Sequence, residues 1–432
     1  MKKTLLILIM GMLFFRGMAQ QPGDTIKMSL ENCLDYAFQN NYSRQSIKLN
    51  ETAKEDLYDQ SKMERLPSLS ASLSENLSHT KGNSASWDGS YGLNANMTLY
   101  QGGSINHTIR QNLLKSKQSE YQTAQYDNEL TIQILQAFLT ALGNEELLKY
   151  QQAVLVTSEE QVKQGKDLFR VGQILESDYL LLEAQWATDQ NNVLETTINR
   201  DNSLLSLKSL LSMNPQQPIQ VIYPDTTTIQ ALLLVPNEEE TLKRALETMP
   251  DILISNYNVE IAETGLKIVQ SSYYPSLNFN GSIGTGHAKN FSNYGDQLAD
   301  RRNEKVGLTL SIPIFNKNKT KSNVTQSRIA LEQAELDQKQ TELNIRQTVI
   351  QEYRNVISAS SKYRTSEIKQ GAYFKSFEAY RSQFNAGSIT TVDLLQQQNN
   401  YINAINEYIQ NKYGFMLKRK ILDVYMGENI TM

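Results

Sequence analysis

The sequence contains one pattern of residues twice, 208 to 215 positions apart. Leu-Pro-Ser-Leu at 66–69 returns as Tyr-Pro-Ser-Leu at 274–277, and Phe-Arg-Val-Gly at 169–172 returns as Phe-Asn-Ala-Gly at 384–387. The repeats of solenoid proteins are only about 20 to 50 residues long. The pattern therefore predicts a duplicated unit whose two copies pack side by side.

The number of residues between matched positions agrees better between the two copies than the identity of the residues does. Tyr100 precedes Gly172 by 72 positions, and Phe315 precedes Gly387 by the same 72. A stretch of equal length therefore separates the same marks in both copies. An aspartate follows each glycine after six positions, as Asp178 in the first copy and Asp393 in the second.

The first 19 residues have the features of a secretory signal peptide. Two lysines precede an apolar run at 5–15, and Gly17 and Ala19 have the small side chains that a signal peptidase prefers. The run is too short to span a bilayer as a helix, which takes about 20 residues. No later segment is apolar enough either, so we expect an exported protein that meets any membrane with strands.

Charge and cysteine content narrow the class of protein. Without residues 1–19 the chain has 39 basic and 46 acidic residues, a net charge of −7, which disfavours nucleic acid as a partner.

An amphipathic helix is predicted from Ser29 to Leu66, where Pro67 stops it. Cys33, the only cysteine, lies in this helix and is expected in the buried core. Export without disulfides fits a bacterial envelope.

Two pairs of segments alternate apolar and polar residues with a period of two. The first pair covers about 68–78 and 90–100, and the second covers about 276–285 and 305–315. The polar positions are mostly Ser, Asn, Thr and Gly. This pattern suits half-buried strands of an antiparallel sheet, and it equally suits transmembrane barrel strands with one lipid face and one water face. Alternation alone leaves both interpretations open.

A proline-free polar stretch follows each pair of strands. Its apolar residues recur at helical spacing, and about 66 residues at 1.5 Å each predict a helix about 100 Å long. Each stretch ends at its glycine, and a returning helix begins just beyond, with Ser177 or Thr391 available as the cap. The tip aspartates fall in its first turn, where the helix dipole favours negative charge. The pattern predicts two helical hairpins, at about 104–213 and 319–426.

The predicted organisation has four parts. A signal peptide covers 1–19, a first repeat covers 20–213, a proline-rich segment covers 214–241, and a second repeat covers 242–432. Four of the nine prolines fall in the proline-rich segment, which we therefore expect to be irregular and on the outside.

No catalytic or metal-binding constellation is predicted. His79, His107 and His287 are assigned to a loop, a helix start and another loop, each without a metal-ligand neighbour. The glycine-rich segment 281–286 lacks the lysine and the following helix of a phosphate-binding loop. We therefore expect no cofactor and no enzymatic activity.

In their order and spacing these marks resemble the TolC family of outer-membrane efflux channels. The strongest marks are Pro-Ser-Leu at the start of the first strand of each repeat, the strand-to-helix junctions at 99–103 and 313–316, and the tips at 171–178 and 386–393. The resemblance covers essentially the whole mature chain.

The resemblance implies a fold class of α-helices plus a transmembrane β-barrel. The duplicated unit is helix, strand, strand, long helix and helix. Three copies of the chain would close one twelve-stranded barrel in the outer membrane, because four strands alone leave open edges in lipid. The helices would continue as a hollow α-helical barrel across the periplasm, where the tips meet an adaptor protein and an inner-membrane pump. Such a protein is a passive conduit.

The resemblance also assigns roles to residues. The tip residues expected to dock the adaptor are Val171, Gly172, Asp178, Ala386 and Gly387. Asp393 is expected to ring the periplasmic constriction, and an ordinary helix-start role is the alternative for both aspartates. The side chains expected to face lipid are Leu69, Leu73, Leu93, Met97, Phe279, Ile283, Leu308 and Ile312.

The chain departs from the family at the second tip. Members often have a Tyr three residues before the tip glycine and an Arg two residues after it, which bond to neighbouring helices and keep the aperture shut. Phe384 and Ile389 occupy these positions here. The resemblance therefore implies a different latch for this chain.

Other functions fit parts of the pattern. A periplasmic adaptor also has a long helical hairpin, but it has one hairpin and a small sandwich, whereas this chain has two hairpins and four strands. Drug efflux, metal efflux and protein secretion share the channel fold. Efflux of small molecules is the first expectation, and the tips contain no His or Met cluster that favours metal.

Overall fold

The computed structural model describes residues 25–79, 81–82, 85–223, 232–288 and 293–428. The expected signal peptide at 1–19 lies outside these residues. Most of the described chain is helical. Within these ranges, no helix combines the length and the apolar character needed to cross a bilayer.

The two copies have the same long elements. Each copy contains one helix of 67 residues followed by one of 35. The first copy consists of β1 Ile26–Met28, α1 Leu30–Asn40, α2 Tyr42–Met63, β2 Ser68–Ser78, β3 Ser86–Gln101, α3 Ser104–Arg170 and α4 Glu176–Leu210. The second consists of β4 Ile219–Val221, α5 Glu238–Thr248, α6 Pro250–Gln270, a 3-10 turn Ser271–Tyr273, β5 Ser276–Ala288, α7 Tyr294–Asp300, β6 Asn303–Ser311, α8 Lys319–Asn385 and α9 Thr391–Tyr425.

The single helix expected before Pro67 is wrong, because the chain breaks it at Asn41. This residue is extended, with φ −65° and ψ 120°. Its side-chain oxygen accepts from the backbone N–H of Arg44 at 2.9 Å, and its amide donates to the carbonyl of Leu210 at 2.8 Å. Asn41 therefore caps α2 and ties it to the end of the first hairpin. The second copy has the same break at Met249, just before Pro250.

Four strands form one antiparallel sheet in the order β2-β3-β5-β6. Strands β3 and β5 belong to different copies, so the sheet joins the two halves of the chain. Both are longer than the predicted segments, by up to four residues at an end. Strand β6 ends at Ser311 rather than at 315, because Pro313 has no N–H to donate to a ladder.

The strand-to-helix junctions are duplicated down to their backbone conformation. Gly102 and Gly103 have φ of +59° and +87°, and the corresponding Lys317 and Asn318 have +57° and +59°. The left-handed region favours glycine. At Gly102 a Cβ would also lie 2.5 Å from the carbonyl oxygen of Ser271, so this glycine permits close approach of the second copy.

The proline-rich segment is not wholly irregular. Strand β4 pairs in parallel with β1, with Ile26 opposite Ile219 and Met28 opposite Val221. Ile219 and Val221 are buried. Helix α5 begins inside the segment, at Glu238.

The main core lies around the middle of α3, where α1, α9 and the small parallel sheet pack together. Phe138 and Phe415 are among its fully buried side chains. Cys33 is also fully buried, as predicted, and burial raises the pKa of its thiol to about 12. Helix α6 lies between the two long helices: Gln118 of α3 donates to Asn258 at 2.6 Å, and Gln338 of α8 donates to Asn256 at 2.7 Å.

Candidate functional site

The first helical tip closes with a Schellman motif. Helix α3 ends at Arg170, and Gly172 takes the left-handed conformation with φ +75°. The N–H of Gly172 donates to the carbonyl of Phe169, and the N–H of Gln173 donates to the carbonyl of Leu168, both at 2.9 Å. These two bonds pair carbonyls that the helix end would otherwise leave free.

The second tip repeats this geometry at Gly387, which has φ +71°. Its N–H donates to the carbonyl of Phe384, and the N–H of Ser388 donates to the carbonyl of Gln383, again at 2.9 Å. Apart from the glycine itself and its chain neighbours, no atom of the described residues lies within 4 Å of a Cβ built on either tip glycine. Glycine is therefore needed for its backbone conformation and not for lack of space. The glycine that recurs in the sequence marks this left-handed position in both copies.

The caps of the returning helices differ from the predicted ones. The N-cap residues are Leu175 and Thr390, not Ser177 and Thr391, so both helices begin earlier than expected. In each case the aspartate three residues later bonds back to the cap. The carboxylate of Asp178 accepts from the N–H of Leu175 at 3.4 Å.

Asp393 makes the fuller capping box. Its carboxylate accepts from the N–H of Thr390 at 3.3 Å and from the Thr390 hydroxyl at 2.7 Å, while its own N–H donates to that hydroxyl at 3.2 Å. These bonds satisfy backbone donors at the start of α9. Asp393 is nevertheless exposed, so it has a helix-start role and a carboxylate edge that faces solvent.

The two tips present different surfaces. The first exposes apolar side chains: Leu175 is 70% exposed and Val171 is 63% exposed. At the second tip Phe384 is only 4% exposed and packs with Phe377 and Leu394. Ile389 packs against the same cluster. Phe384 and Ile389, the residues at the expected latch positions, therefore both belong to an apolar cluster that supports the second tip.

Ion pairs connect the two hairpins. The guanidinium Nη2 of Arg381 on α8 lies 3.4 Å from Glu160 Oε2 on α3. Lys412 Nζ on α9 lies 2.8 Å from Glu146 Oε2 on α3, and this pair is more buried. The hairpins are therefore joined by side chains on one face of α3, which sequence reasoning did not single out.

The register of the sheet places the predicted lipid-facing residues opposite one another or opposite other apolar residues. Leu93 lies opposite Ala71 on one side and Ile283 on the other, and Phe279 lies between Met97 and Leu308. Residues directly opposite in an antiparallel pair point to the same face. The seven predicted residues within strands therefore share one face. Ile312 lies just beyond the end of β6 and is exposed.

The other face of the sheet is lined with small polar side chains. Asn94 lies opposite both Ser70 and Ser282. The Thr98 hydroxyl donates to the side-chain oxygen of Asn278 at 3.1 Å. One face is thus apolar and the other hydrophilic, as the alternation of the sequence predicts.

A cluster of aromatic side chains lies on the apolar face at the ends of the strands that are far from the long helices. Trp87 stacks on Tyr294 with ring centroids 6.5 Å apart, and His287 lies 5.0 Å from Tyr294. His287 belongs to β5 rather than to the expected loop, and its Nε2 lies 3.1 Å from Glu75 Oε2. A Cβ on Gly89 would lie 2.4 Å from His287 Nε2, so the glycine makes room for this pair.

Comparison with known proteins shows the family of the chain. A family model described as outer membrane efflux protein matches residues 34–212 and 241–428. Outer membrane protein TolC of Vibrio cholerae serotype O1 is 23% identical over 330 residues, which are 76% of this chain and 74% of that protein. The alkaline protease secretion protein AprF of Pseudomonas aeruginosa is 22% identical over 302 residues, 69% of this chain and 61% of that protein. A crystal structure of CusC has a TM-score of 0.81 at 15% identity and 96% coverage of both chains.

Paired helical hairpins on a strongly two-faced sheet are the fold of an outer-membrane efflux channel protein. The family match covers most of both copies, and the chain belongs to the outer membrane efflux protein family. The predicted fold class and the resemblance to TolC are confirmed. The protein is an outer-membrane protein that acts as an exit channel and not as an enzyme.

Proposed function

We propose that three copies of this chain form the exit channel of a tripartite efflux complex. The observation that supports this proposal is the four-stranded sheet, which has a strongly apolar face and two edge strands, β2 and β6. Among the described residues, neither edge strand has a neighbouring strand on its outer side. An open strand edge in lipid leaves backbone N–H and C=O groups unpaired, which costs several kcal/mol for each group. Pairing β2 of one copy with β6 of the next closes a twelve-stranded barrel and removes every edge.

The two faces of the sheet fit this barrel. The apolar face faces lipid with Leu69, Leu73, Leu93, Met97, Phe279, Ile283 and Leu308, and Ile312 continues it toward the periplasm. The hydrophilic face lines the water-filled lumen. Trp87, Tyr91 and Tyr294 then lie at the outer membrane interface, where aromatic rings with one polar end are favoured.

The tips are the proposed docking site for a periplasmic adaptor. At the first tip, Val171 and Leu175 are apolar and exposed, beside Gly172 and Asp178. At the second tip, Ala386 and Gly387 are exposed next to a buried apolar cluster. An adaptor helix could cover the exposed apolar groups, and the energy for transport would come from the inner-membrane pump bound to the adaptor.

Asp393 is the proposed constriction residue. Three copies would place three carboxylates at the narrow periplasmic end of the channel, where like charges repel and attract multivalent cations. The capping box with Thr390 fixes the side chain at the helix start while leaving the carboxylate exposed. A structural role and a role in ion selectivity therefore coexist in one residue.

Small molecules are the proposed cargo, and protein secretion is the second candidate. The second candidate is favoured by the similarity to AprF, whose name describes secretion of an alkaline protease. The two candidates can be distinguished in cells that lack this protein, by measuring dye accumulation and the set of secreted proteins. We expect higher intracellular accumulation of a fluorescent dye and an unchanged set of secreted proteins, both restored by the wild-type chain. Normal dye accumulation with loss of a secreted protein would favour secretion instead.

A further inference from the structure

A small cavity lies between the two hairpins, away from the tips and the sheet. It has a volume of about 190 Å³ and is formed by α3 of the first copy together with α8 and α9 of the second. An engineered apolar cavity of about 150 Å³ is large enough to bind benzene. The cavity therefore has room for one aromatic ring with a small substituent.

Four aromatic side chains line the cavity, with Tyr401 at their centre. The Tyr401 ring centroid lies 5.7 Å from that of Tyr150, 5.4 Å from that of Phe374 and 5.8 Å from that of Phe377. These distances fall within the range in which aromatic pairs attract one another. Tyr150 belongs to the first copy and lies more than 200 positions before the other three, which belong to the second, so the packing of the two copies brings them together.

Two polar side chains in the wall, Tyr150 and Gln398, have side-chain atoms without a hydrogen-bond partner among the described residues. Gln398 is 2% exposed, and neither its Nε2 nor its Oε1 makes a hydrogen bond among the described residues. A buried amide left unpaired costs roughly 1 to 3 kcal/mol. This donor and acceptor, side by side in an aromatic wall, match the acceptor and donor of a carboxamide.

The charges at the mouth of the cavity are already paired. Arg381 Nη2 lies 3.4 Å from Glu160 Oε2, and its Nη1 lies 3.8 Å from Glu378 Oε1. Burial raises the pKa of the Tyr150 phenol above its usual value, so this wall stays neutral at physiological pH. A neutral ligand therefore suits the cavity better than a charged one.

We propose that this cavity binds a neutral aromatic carboxamide with a single ring. The ring packs against Tyr401, Phe374 and Phe377, and the carboxamide exchanges two hydrogen bonds with Gln398. The bound molecule contacts both hairpins at once, so it restrains their relative movement. This site is separate from the tips proposed to dock the adaptor and from the channel lumen lined by the sheet.

Binding is tested on the full-length protein purified in detergent, with 4-fluorobenzamide as the probe and ¹⁹F NMR line broadening as the readout. Fluorobenzene serves as a matched probe without the amide. We expect saturable binding of 4-fluorobenzamide that benzamide displaces. Gln398→Leu should weaken this binding about tenfold, the effect of about one hydrogen bond, and should leave fluorobenzene binding unchanged or stronger.

Two further variants control the experiment. Gln396→Leu changes an exposed glutamine on the same helix and should leave binding of both probes unaltered. Ala153→Phe adds a ring at the exposed mouth and should abolish binding of both probes. If Ala153→Phe does not fold, the proposal is still tested by Gln398→Leu, which should weaken binding of 4-fluorobenzamide but not of fluorobenzene. No saturable binding by the wild type, or equal binding by the wild type and Gln398→Leu, would overturn the proposal and leave water as the occupant.

Discussion

Lys412 Nζ lies 2.8 Å from Glu146 Oε2, although 266 positions separate the two residues. The Tyr413 hydroxyl donates to the same carboxylate. Burial and this carboxylate together raise the pKa of the Tyr413 phenol, so the hydroxyl remains a donor at physiological pH. Glu146 therefore joins the outgoing helix of the first hairpin to the returning helix of the second through two partners.

We predict that Glu146→Ala destabilises the helical part by about 1 to 3 kcal/mol, because it leaves two partly buried donors unpaired. Glu407→Ala is the matched control: it removes an ion pair with Lys369 in which both side chains are nearly half exposed. That pair should contribute less, because water and salt screen the attraction between exposed charges. Denaturant unfolding followed by helical circular dichroism measures both, and equal losses would show that the link between the hairpins is no stronger than a surface pair.

A second prediction concerns the tip glycines. Gly387→Ala should cost about 1 to 2 kcal/mol, because φ is +71° and an L-residue is strained there even with open space around it. Gly371→Ala, in the interior of α8 and also with open space, should instead stabilise by about 0.5 to 1 kcal/mol. The same unfolding experiment measures the loss of stability expected for Gly387→Ala and the gain expected for Gly371→Ala. A loss at Gly371 as large as at Gly387 would contradict the backbone explanation.

The duplication made the long elements predictable. A glycine that must adopt positive φ, and an aspartate that caps a helix, act locally, so their spacing in the sequence reports the hairpins directly. The alternation of Leu and Ser likewise predicts the faces of the sheet. By contrast, the break at Asn41 depends on a bond to Leu210, which no local pattern contains.

Features that depend on distant contacts could not be predicted from the sequence. Strand β4 has only three residues, and it is a strand because Ile219 meets Ile26 across the chain. The Glu146 link and the cavity at Gln398 arise where helices of different copies meet. Leu175 has no side-chain hydrogen-bonding group, so its role as N-cap is visible only in the backbone geometry.

A third prediction tests the two faces of the sheet. Leu93 and Asn94 are neighbours in the middle of β3 and point to opposite faces. Leu93→Arg should cost about 2 to 4 kcal/mol near the bilayer midplane and lower the amount of assembled protein in the outer membrane. Asn94→Arg should assemble normally and alter the conductance of the channel. Equal tolerance at both positions would mean that the lipid and lumen faces are wrongly assigned.

A fourth prediction concerns the constriction. Asp393→Asn removes a charge but keeps an oxygen that can accept from Thr390, so the helix start should be preserved. We expect weaker block by multivalent cations and lower cation selectivity in single-channel recordings. Asp178→Asn makes the same change at the duplicated position and should have the smaller effect. If Asp393→Asn conducts like the wild type, Asp393 is only a helix-start residue and the constriction lies elsewhere.

Assembly into a trimeric channel is tested most directly by native mass measurement of the protein extracted from isolated outer membrane. The open edges of β2 and β6 require two neighbouring copies for each chain in a closed ring of three. We predict a mass equal to three mature chains, stable in detergent that preserves the barrel. A monomer of the same chain, recovered folded from the soluble periplasmic fraction, would contradict the proposed channel.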